Sequence, residues 1–342
     1  MVDQNKDWYP WLNYPYQQII KQYYLNRGHH TLLLYAPYGL GIEVLLWKIS
    51  CLLMCSFRNR NLQNCGQCQN CKLMHNMNHP DLYILDIIRK EQNTLGIEEI
   101  RNLSYNLYQK STLGTSKIIW ILKPTKLTES AVNALLKIIE DPPQNTWFFL
   151  YSLEKTNIPI ILRSRCQAWH ILPPTELEGL NWLKTNKNKN LKTIPSITLI
   201  AALRLSYGAP LAALNLLQSP DWQSRKNIYN EILNNFFNLE IIKLLSLMNN
   251  ENVAKQIEWL CTLLLDALKL KHNNKQNIIN IDYYELVKTL ADYISTETLL
   301  ITFRQWCICR DRILHITSIS RELLLIKQLI IWNQLIQSNL NK

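Results

Sequence analysis

The stretch that decides the fold runs from Thr128 to Cys166 and reads TESAVNALLKIIEDPPQNTWFFLYSLEKTNIPIILRSRC. The apolar spacing in Thr128–Glu140 predicts an amphipathic helix. Pro142–Pro143 ends that helix because proline has no backbone N–H to donate. The wholly apolar run Trp147–Tyr151 then predicts a buried strand, and a short turn leads to the tripeptide Ser164–Cys166. This order indicates an α/β domain in which helices alternate with buried strands.

The composition is that of a globular protein. The chain has 342 residues, of which 47% are hydrophobic, and this length predicts two or three domains. The net charge of +11 favours a polyanionic partner, although the densest basic run, 184–192, is interleaved with Asn and Thr as in a solvated loop. A polar start argues against a signal peptide, and no apolar run approaches the ~18 residues of a membrane span. We therefore expect a cytoplasmic location and reduced thiols.

The chain divides into three predicted domains. Over residues 1–171, helices alternate with apolar strands, which predicts a mostly parallel sheet covered on both faces. The predicted strands are 31–35, 82–86, 118–122, 147–151 and 167–171. After Pro173–Pro174 no strand pattern is found. Residues 172–218 are expected to form a small helical domain, and residues 219–342 an all-helical domain whose apolar faces recur at three- and four-residue spacing.

A glycine turn follows the first predicted strand, at the place where a phosphate-binding loop belongs. A working P-loop needs backbone amides around the phosphates, a lysine that reaches the terminal phosphates and a hydroxyl that binds magnesium. Gly39 and Gly41 keep part of the turn, but Ala36 replaces the leading glycine. Ile42 stands in place of the lysine and Glu43 in place of the Ser or Thr. We predict no functional ATP site, while glycine amides alone leave residual phosphate binding open.

Four clustered cysteines predict a metal site. Cys55, Cys65, Cys68 and Cys71 have the spacing C-x9-C-x2-C-x2-C, which can close a tetrahedral zinc shell. Four protein ligands leave no open position, so the zinc would be structural. Free buried thiols and an iron–sulfur cluster are the alternatives. His79 is expected to form hydrogen bonds in a loop rather than to act as a fifth ligand.

This order of motifs resembles the clamp-loader branch of the AAA+ ATPases, and within it the delta-prime family of bacterial DNA polymerase III. The resemblance covers nearly the whole chain. It rests on segments 8–12, 94–97, 134–137, 140–143, 164–166, 263–269 and 321–324, together with the cysteine module at 55–71. It implies a RecA-like α/β AAA+ nucleotide-binding domain with an inserted zinc module over residues 1–171, a helical lid domain and an all-α collar domain for oligomerisation.

The resemblance also assigns expected roles to single residues. Two acids that hold magnesium and position water are expected where Leu122 and Lys123 stand, and a lid arginine is expected at Leu211. These replacements imply that the chain has no ATPase activity of its own. Arg165 matches an arginine that reaches into the nucleotide site of a neighbouring subunit, and Arg163 is a weaker candidate for that role.

The implied function is that of a non-catalytic, ATPase-dead stator subunit in the polymerase III clamp loader. The implied partners in this hetero-oligomer are the gamma/tau ATPase subunits, the delta subunit and, through the complex, the sliding clamp and primed DNA. The expected location is the cytoplasm, in association with the nucleoid. One alternative is an active clamp-loader ATPase, which requires a lysine at position 42. Another is a zinc-ribbon nucleic-acid-binding protein on a degenerate ATPase scaffold, which predicts tight, salt-dependent DNA binding.

Overall fold

The computed structural model describes residues 8–25, 27–57, 63–86, 94–114, 116–153, 158–185, 193–236, 238, 240–316 and 320–340. The chain divides into two compact units, Met1–Pro174 and Thr175–Lys342. The first unit corresponds to the predicted α/β domain and the second to the two predicted helical domains together. The further boundary near residue 218 stays a prediction, and the basic run 184–192 lies largely outside the described residues.

A five-stranded parallel sheet forms the centre of the first unit. Its strands are β1 (Thr31–Tyr35), β2 (Leu82–Leu85), β3 (Lys117–Ile121), β4 (Thr146–Ser152) and β5 (Gln167–His170). The strand order is β2-β3-β4-β1-β5, and every neighbouring pair is parallel. β1 and β3 are buried at every residue, as expected when both faces are covered. The predicted α/β sheet is confirmed, and each predicted strand end agrees to within one residue.

Helices cover both faces of this sheet. The α-helices of the first unit are Asn13–Tyr24, Ile42–Met54, Gln69–His75, Ile97–Tyr108, Glu129–Glu140 and Ile160–Arg163. Side chains of Ile97–Tyr108 and Glu129–Glu140 share one apolar cluster with Ile119 of β3. Neighbouring Trp120 has its side chain on the opposite face, where its indole N–H donates to Ser50 Oγ of Ile42–Met54 at 3.0 Å. The sheet therefore holds the starts and ends of these helices in fixed places.

Capping sets the ends of Glu129–Glu140, the helix that leads to the double proline. The Thr128 hydroxyl accepts a hydrogen bond from the N–H of Ala131 at 3.3 Å and caps the amino terminus. The helix ends before Pro142–Pro143, as predicted from the missing proline N–H groups. Glu140 is consequently the last residue of the helix, and its side chain is partly exposed at the carboxyl end.

The described part of the second unit is helical. Its α-helices are Glu176–Thr185, Ser196–Leu205, Pro210–Gln218, Pro220–Asn235, Leu244–Met248, Val253–Lys271, Tyr284–Tyr293, Thr296–His315 and Arg321–Leu340. One apolar core contains Leu183 and Leu199 from the predicted lid and Leu260, Trp306 and Trp332 from the predicted collar. Among the described residues no single helix is long and apolar enough to span a membrane. One pair of helices, 196–205 with 210–218, bent by 113°, reaches that length and composition together.

A buried polar network lies inside the second unit. The Arg225 guanidinium, which is fully buried, donates to both carboxylate oxygens of Asp282 at 2.7 and 2.8 Å. It also donates to Asn280 Oδ1 at 2.9 Å, and the Tyr229 hydroxyl donates to the same oxygen at 3.0 Å. The Asn280 side-chain amide donates to Asp266 at 2.8 Å. The arginine charge is thus paired and hydrogen-bonded, as a buried charge must be.

Candidate functional site

The loop after β1 keeps a glycine turn. Gly39 (φ 86°) and Gly41 (φ 77°) both have left-handed backbones that other residues rarely adopt. Gly41 is also the residue from which the helix Ile42–Met54 begins. The indole N–H of Trp11 donates to the Leu40 carbonyl at 2.9 Å and ties the start of the chain to this loop. The backbone route from strand to glycine turn to helix is therefore present.

The side chains of this loop differ from those of a working P-loop. Ile42 is 3% exposed, so an apolar side chain is buried where a lysine is needed. Glu43 lies in the first helical turn, and the Tyr151 hydroxyl donates to the Ala36 carbonyl at 3.4 Å. Burial, reinforced by the charge of Glu43, raises the pKa of Tyr151. Residues 36–43 contain no Lys or Arg that could meet a phosphate charge.

The remaining positions expected in a nucleotide site carry no matching group. Leu122 follows β3 half-buried, and its N–H donates to the Leu85 carbonyl at 3.2 Å. Lys123 is exposed. Leu211 lies in the first turn of the helix Pro210–Gln218, in the second unit. No acid stands at the end of β3, where magnesium would need one.

Arg165 lies in the turn between the short helix Ile160–Arg163 and β5. Its Nε forms an ion pair with Glu140 Oε1, and its Nη1 donates to the Ile161 carbonyl at 3.2 Å. The two side chains of the pair are 39% and 49% exposed, so the guanidinium is at the surface. Glu140 is not recognisable as this partner from the sequence, because 25 residues separate the two.

Arg163 has a different environment from Arg165. It is half-buried and close to Tyr35, the last residue of β1. Burial raises the pKa of Tyr35, and the positive charge of Arg163 opposes that rise. The charge of Arg163 is therefore near enough to act on the end of β1, and its role in a neighbouring subunit stays a prediction.

The four predicted ligands Cys55, Cys65, Cys68 and Cys71 come together. Their Sγ atoms all lie within 4.8 Å of one another, and the Sγ atoms of Cys65 and Cys71 are 3.9 Å apart. A tetrahedral site with metal–sulfur bonds of ~2.3 Å requires sulfur atoms about 3.8 Å apart. The cluster therefore fits a metal ion bound by four thiolates.

Local structure places these cysteines. Cys55 directly follows the helix Ile42–Met54, while Cys68 caps Gln69–His75 and Cys71 lies in its first turn. Gly66 has a left-handed backbone (φ 70°), which allows the tight turn between the second and third cysteines. Backbone N–H groups point at the sulfurs, from Cys65 to Cys55 at 3.3 Å and from Cys68 to Cys65 at 3.4 Å.

The thiols differ in acidity. Burial raises the pKa of Cys55 and that of Cys71, the latter to about 12. The backbone N–H of Cys68 lowers the pKa of Cys65. Burial also opposes ionisation of Cys68, but hydrogen bonds from the Cys71 backbone and from neighbouring groups lower its pKa to about 6. Backbone N–H groups directed at sulfur stabilise thiolates, the form that binds metal.

Asn70 lies beside the cysteines, and the sequence alone did not indicate that it contributes to this site. It is buried and forms hydrogen bonds to both neighbours of Cys55 and to His79. His79 accepts a hydrogen bond from the N–H of Asp81 at 3.1 Å, so the prediction that it bonds within a loop is confirmed. An asparagine between two cysteines is not a recognisable motif by itself, because its partners Met54 and Ser56 lie 16 and 14 residues away along the chain.

Three family models match consecutive parts of the chain. Residues 13–175 match "DNA polymerase III, delta subunit". Residues 174–218 match the AAA+ ATPase lid domain of DNA polymerase III subunit delta', and residues 219–334 match the carboxyl-terminal part of the delta subunit. The matches follow the order of the sheet unit and the helical unit along the chain.

Individual proteins match over almost the full length. The delta' subunit of DNA polymerase III from Yersinia pestis is 37% identical over 95% of this chain and 95% of that protein. The delta' subunit from Escherichia coli K12 is 36% identical over 93% of each. A gamma-subunit-related protein from Thermotoga maritima, of known structure, is 16% identical with a TM-score of 0.44, over 94% of this chain and 99% of that one. With full-length identity to the delta' subunits at this level and a matching lid domain, the chain belongs to the delta-prime subunit family of DNA polymerase III.

Proposed function

We propose that this chain is the ATPase-dead stator subunit of the clamp loader and supplies Arg165 to the nucleotide site of a neighbouring subunit. The observation that carries the proposal is a contrast between two sets of residues, those that would serve the chain's own nucleotide and the arginine that would serve a neighbour's. The groups that would serve its own nucleotide are replaced, with Ile42 buried at the lysine position. The arginine that would serve a neighbour's nucleotide is present and at the surface.

The loop after β1 does not carry the side chains that phosphoryl transfer requires. Charge on the transferring phosphoryl group must be met by a lysine, a metal ion and an arginine. Ile42 and Glu43 offer an apolar and an acidic group instead, and Leu122 and Lys123 offer no metal ligand. Replacement of all of these positions together supports loss of hydrolysis rather than a change in its rate.

Arg165 can leave its own chain at small cost. Exposed ion pairs contribute about 0–1 kcal/mol, so exchanging the Glu140 carboxylate for a phosphate on another subunit requires little energy. An arginine supplied in trans stabilises charge in the transition state and accelerates phosphoryl transfer by about 10³–10⁵. The subunit would thus be required for a reaction that it does not itself catalyse.

The metal bound by Cys55, Cys65, Cys68 and Cys71 is proposed to be zinc in a structural role. Zinc would hold the four sulfurs in a closed tetrahedral shell with no site for substrate. The four-thiolate set, the short distances between sulfurs and the N–H···S hydrogen bonds support this identification. The metal would join the end of one helix to the start of the next.

The proposed partners are those of a clamp-loader subunit. They are the gamma/tau ATPase subunits, the delta subunit and, through the complex, the sliding clamp and primed DNA, in the cytoplasm at the nucleoid. We further propose a lid domain at 172–218 and a collar domain at 219–342 that holds the hetero-oligomer together. The separate family matches at 174–218 and 219–334 support this division.

Measuring ATP turnover by a reconstituted loader, stimulated by clamp and primed DNA, tests the role of Arg165. With Arg165→Ala we expect turnover to fall at least ~tenfold while the complex still assembles. Arg101→Ala is the matched control, because Arg101 is also an exposed arginine paired with an acid, Glu98. Unchanged turnover with Arg165→Ala would overturn the proposed role of this arginine.

DNA binding by the isolated chain separates the stator from the zinc-ribbon alternative. The stator reading predicts weak binding whose salt dependence reflects few phosphate contacts. Tight binding with a steep loss of affinity between low and moderate salt would favour the alternative. Fluorescence anisotropy of a labelled primed oligonucleotide at two salt concentrations makes this comparison.

A further inference from the structure

The four cysteines come from two separate pieces of chain. Cys55 ends the helix Ile42–Met54, whereas Cys65, Cys68 and Cys71 belong to the turn and the helix Gln69–His75. Within the second piece, local turns and backbone N–H···S bonds hold the sulfurs near one another. Cys55 is joined to this piece by one such bond, from the Cys65 N–H to Cys55 Sγ at 3.3 Å, and its distance to the other sulfurs otherwise depends on how the two pieces pack.

One buried side chain connects the two pieces on both sides of Cys55. The side-chain nitrogen of Asn70 donates to the carbonyl of Met54 at 3.0 Å and to the hydroxyl of Ser56 at 3.1 Å. Met54 and Ser56 are the residues immediately before and after Cys55. Asn70 is itself the residue before Cys71, so one amide spans from one ligand to the other.

A hydrogen bond from His79 fixes the orientation of the Asn70 amide. The His79 Nδ1 accepts a hydrogen bond from the N–H of Asp81 at 3.1 Å, so its Nε2 carries the proton. Nε2 then donates to Asn70 Oδ1, 3.3 Å away. With its oxygen used as an acceptor, the Asn70 nitrogen is directed at Met54 and Ser56. His79 and Asn70 are both buried, which strengthens these hydrogen bonds relative to water.

We propose that Asn70 is a positioning residue of the metal site, which holds Cys55 within bonding distance of a metal bound by Cys65, Cys68 and Cys71. This inference rests on the proposed zinc site. A ligand that is already placed loses little freedom when the metal binds, so affinity depends on the residue that places it. Loss of such an outer contact weakens metal affinity by about 10–100-fold.

Zinc titration of the full chain against a chromophoric chelator tests the proposal. Asn70→Leu keeps the volume and removes every hydrogen bond, so we expect the zinc dissociation constant to rise at least ~tenfold. With Co²⁺ as the probe, the sulfur-to-metal charge-transfer band should fall from the intensity of four thiolates toward that of three. Weakening of the fold alone would not remove one particular thiolate from the metal.

Two further variants make the result decisive. Asn76→Leu is the matched control, because Asn76 is an exposed asparagine just after the same helix, and it should bind zinc as the wild type does. Ser56→Ala removes one acceptor at an exposed position and should weaken binding about threefold. If Asn70→Leu does not fold, Ser56→Ala decides the question alone, with unchanged affinity overturning the proposal.

The outcomes also separate this inference from the metal site on which it rests. A wild-type chain that binds neither Zn²⁺ nor Co²⁺ would overturn the proposed metal site and the role of Asn70 with it. A wild-type chain that binds metal, with Asn70→Leu showing the same affinity and the same four-thiolate spectrum, would overturn the role of Asn70 alone. A parallel loss of affinity in Asn76→Leu would also overturn it.

Discussion

Ile42 is the residue at which the nucleotide site differs most from a working one. Its side chain is apolar and only 3% exposed. Changing Ile42→Lys would bury an ammonium group that has no partner, so we expect a loss of stability on the order of 2 kcal/mol or more. Urea denaturation of the isolated chain measures this loss.

Restoring the loop sequence is also expected to leave the chain inactive. In the double variant Ile42→Lys with Glu43→Thr, the lysine and hydroxyl return, but Leu122, Lys123 and Leu211 still offer no metal ligand and no lid arginine. ATP turnover by the purified variant should stay at the level of the wild-type chain. Measurable hydrolysis would contradict the interpretation that several independent losses disable the site.

The pairing of Arg165 with Glu140 shows what residue-level prediction could not provide. The tripeptide around Arg165 was recognisable from its sequence, and so was the helix that ends at Glu140. That the two side chains meet depends on the turn after Ile160–Arg163 lying beside the end of Glu129–Glu140. No local pattern encodes such a contact.

Among the elements, the short helix Gln69–His75 depends most on the proposed metal. A helix of this length is unstable by itself in water, and both its capping residue Cys68 and its Cys71 belong to the cluster. On removal of zinc with a chelator, we expect amide hydrogen exchange at residues 69–75 to accelerate by at least ~tenfold. Hydrogen-exchange mass spectrometry measures this change.

β3 provides the internal reference for that measurement. It is buried at every residue and pairs with strands on both sides, so its exchange should not respond to the chelator. Equal protection of residues 69–75 with and without the chelator would show that helix packing, and not metal, holds this element in place.

The helix Pro220–Asn235 carries the buried Arg225, whose partners come from a distant segment. Arg225→Ala would leave the Asp282 carboxylate buried without its cation, so we expect a loss of about 3–5 kcal/mol in the free energy of unfolding. Lys255→Ala breaks the exposed pair with Asp221 in the same unit and should cost less than ~1 kcal/mol. Equal effects of the two changes in urea denaturation would contradict this account.

At the scale of the whole molecule, the helical unit has one core rather than two. Leu183 and Leu199 of the proposed lid belong to the same apolar cluster as Leu260 and Trp306 of the proposed collar. The Arg204 side chain also donates to the Ile278 carbonyl across this division. Removing residues 175–218 would therefore expose apolar surface of residues 219–342. That surface stays covered when the chain is divided at residue 174 instead.

This difference predicts how truncated chains behave. Residues 175–342 expressed alone should unfold in one cooperative transition, because their core is complete. Residues 219–342 alone should be less stable and should bind a hydrophobic dye, since lid residues no longer cover part of that core. Equal midpoints of urea unfolding for the two fragments would show that the lid contributes nothing to the core.

Much of the fold could be predicted because its signals are local. The strands are short apolar runs, and their ends agreed to within one residue. The helix before the double proline was recognisable from its periodicity and its stop. The cysteines were recognisable from their spacing, and the departures from a working P-loop from the identity of a few side chains.

By itself, then, the sequence determined which elements form, which residues could bind a metal and which catalytic groups are lacking. Only the tertiary structure decided the strand order, the ion pair of Arg165, the hydrogen bonds of Asn70 and the shared core of the helical unit. The physical reason is distance along the chain. Periodicity and capping act over a few neighbouring residues, whereas these contacts join segments that meet only when the sheet and helices have packed.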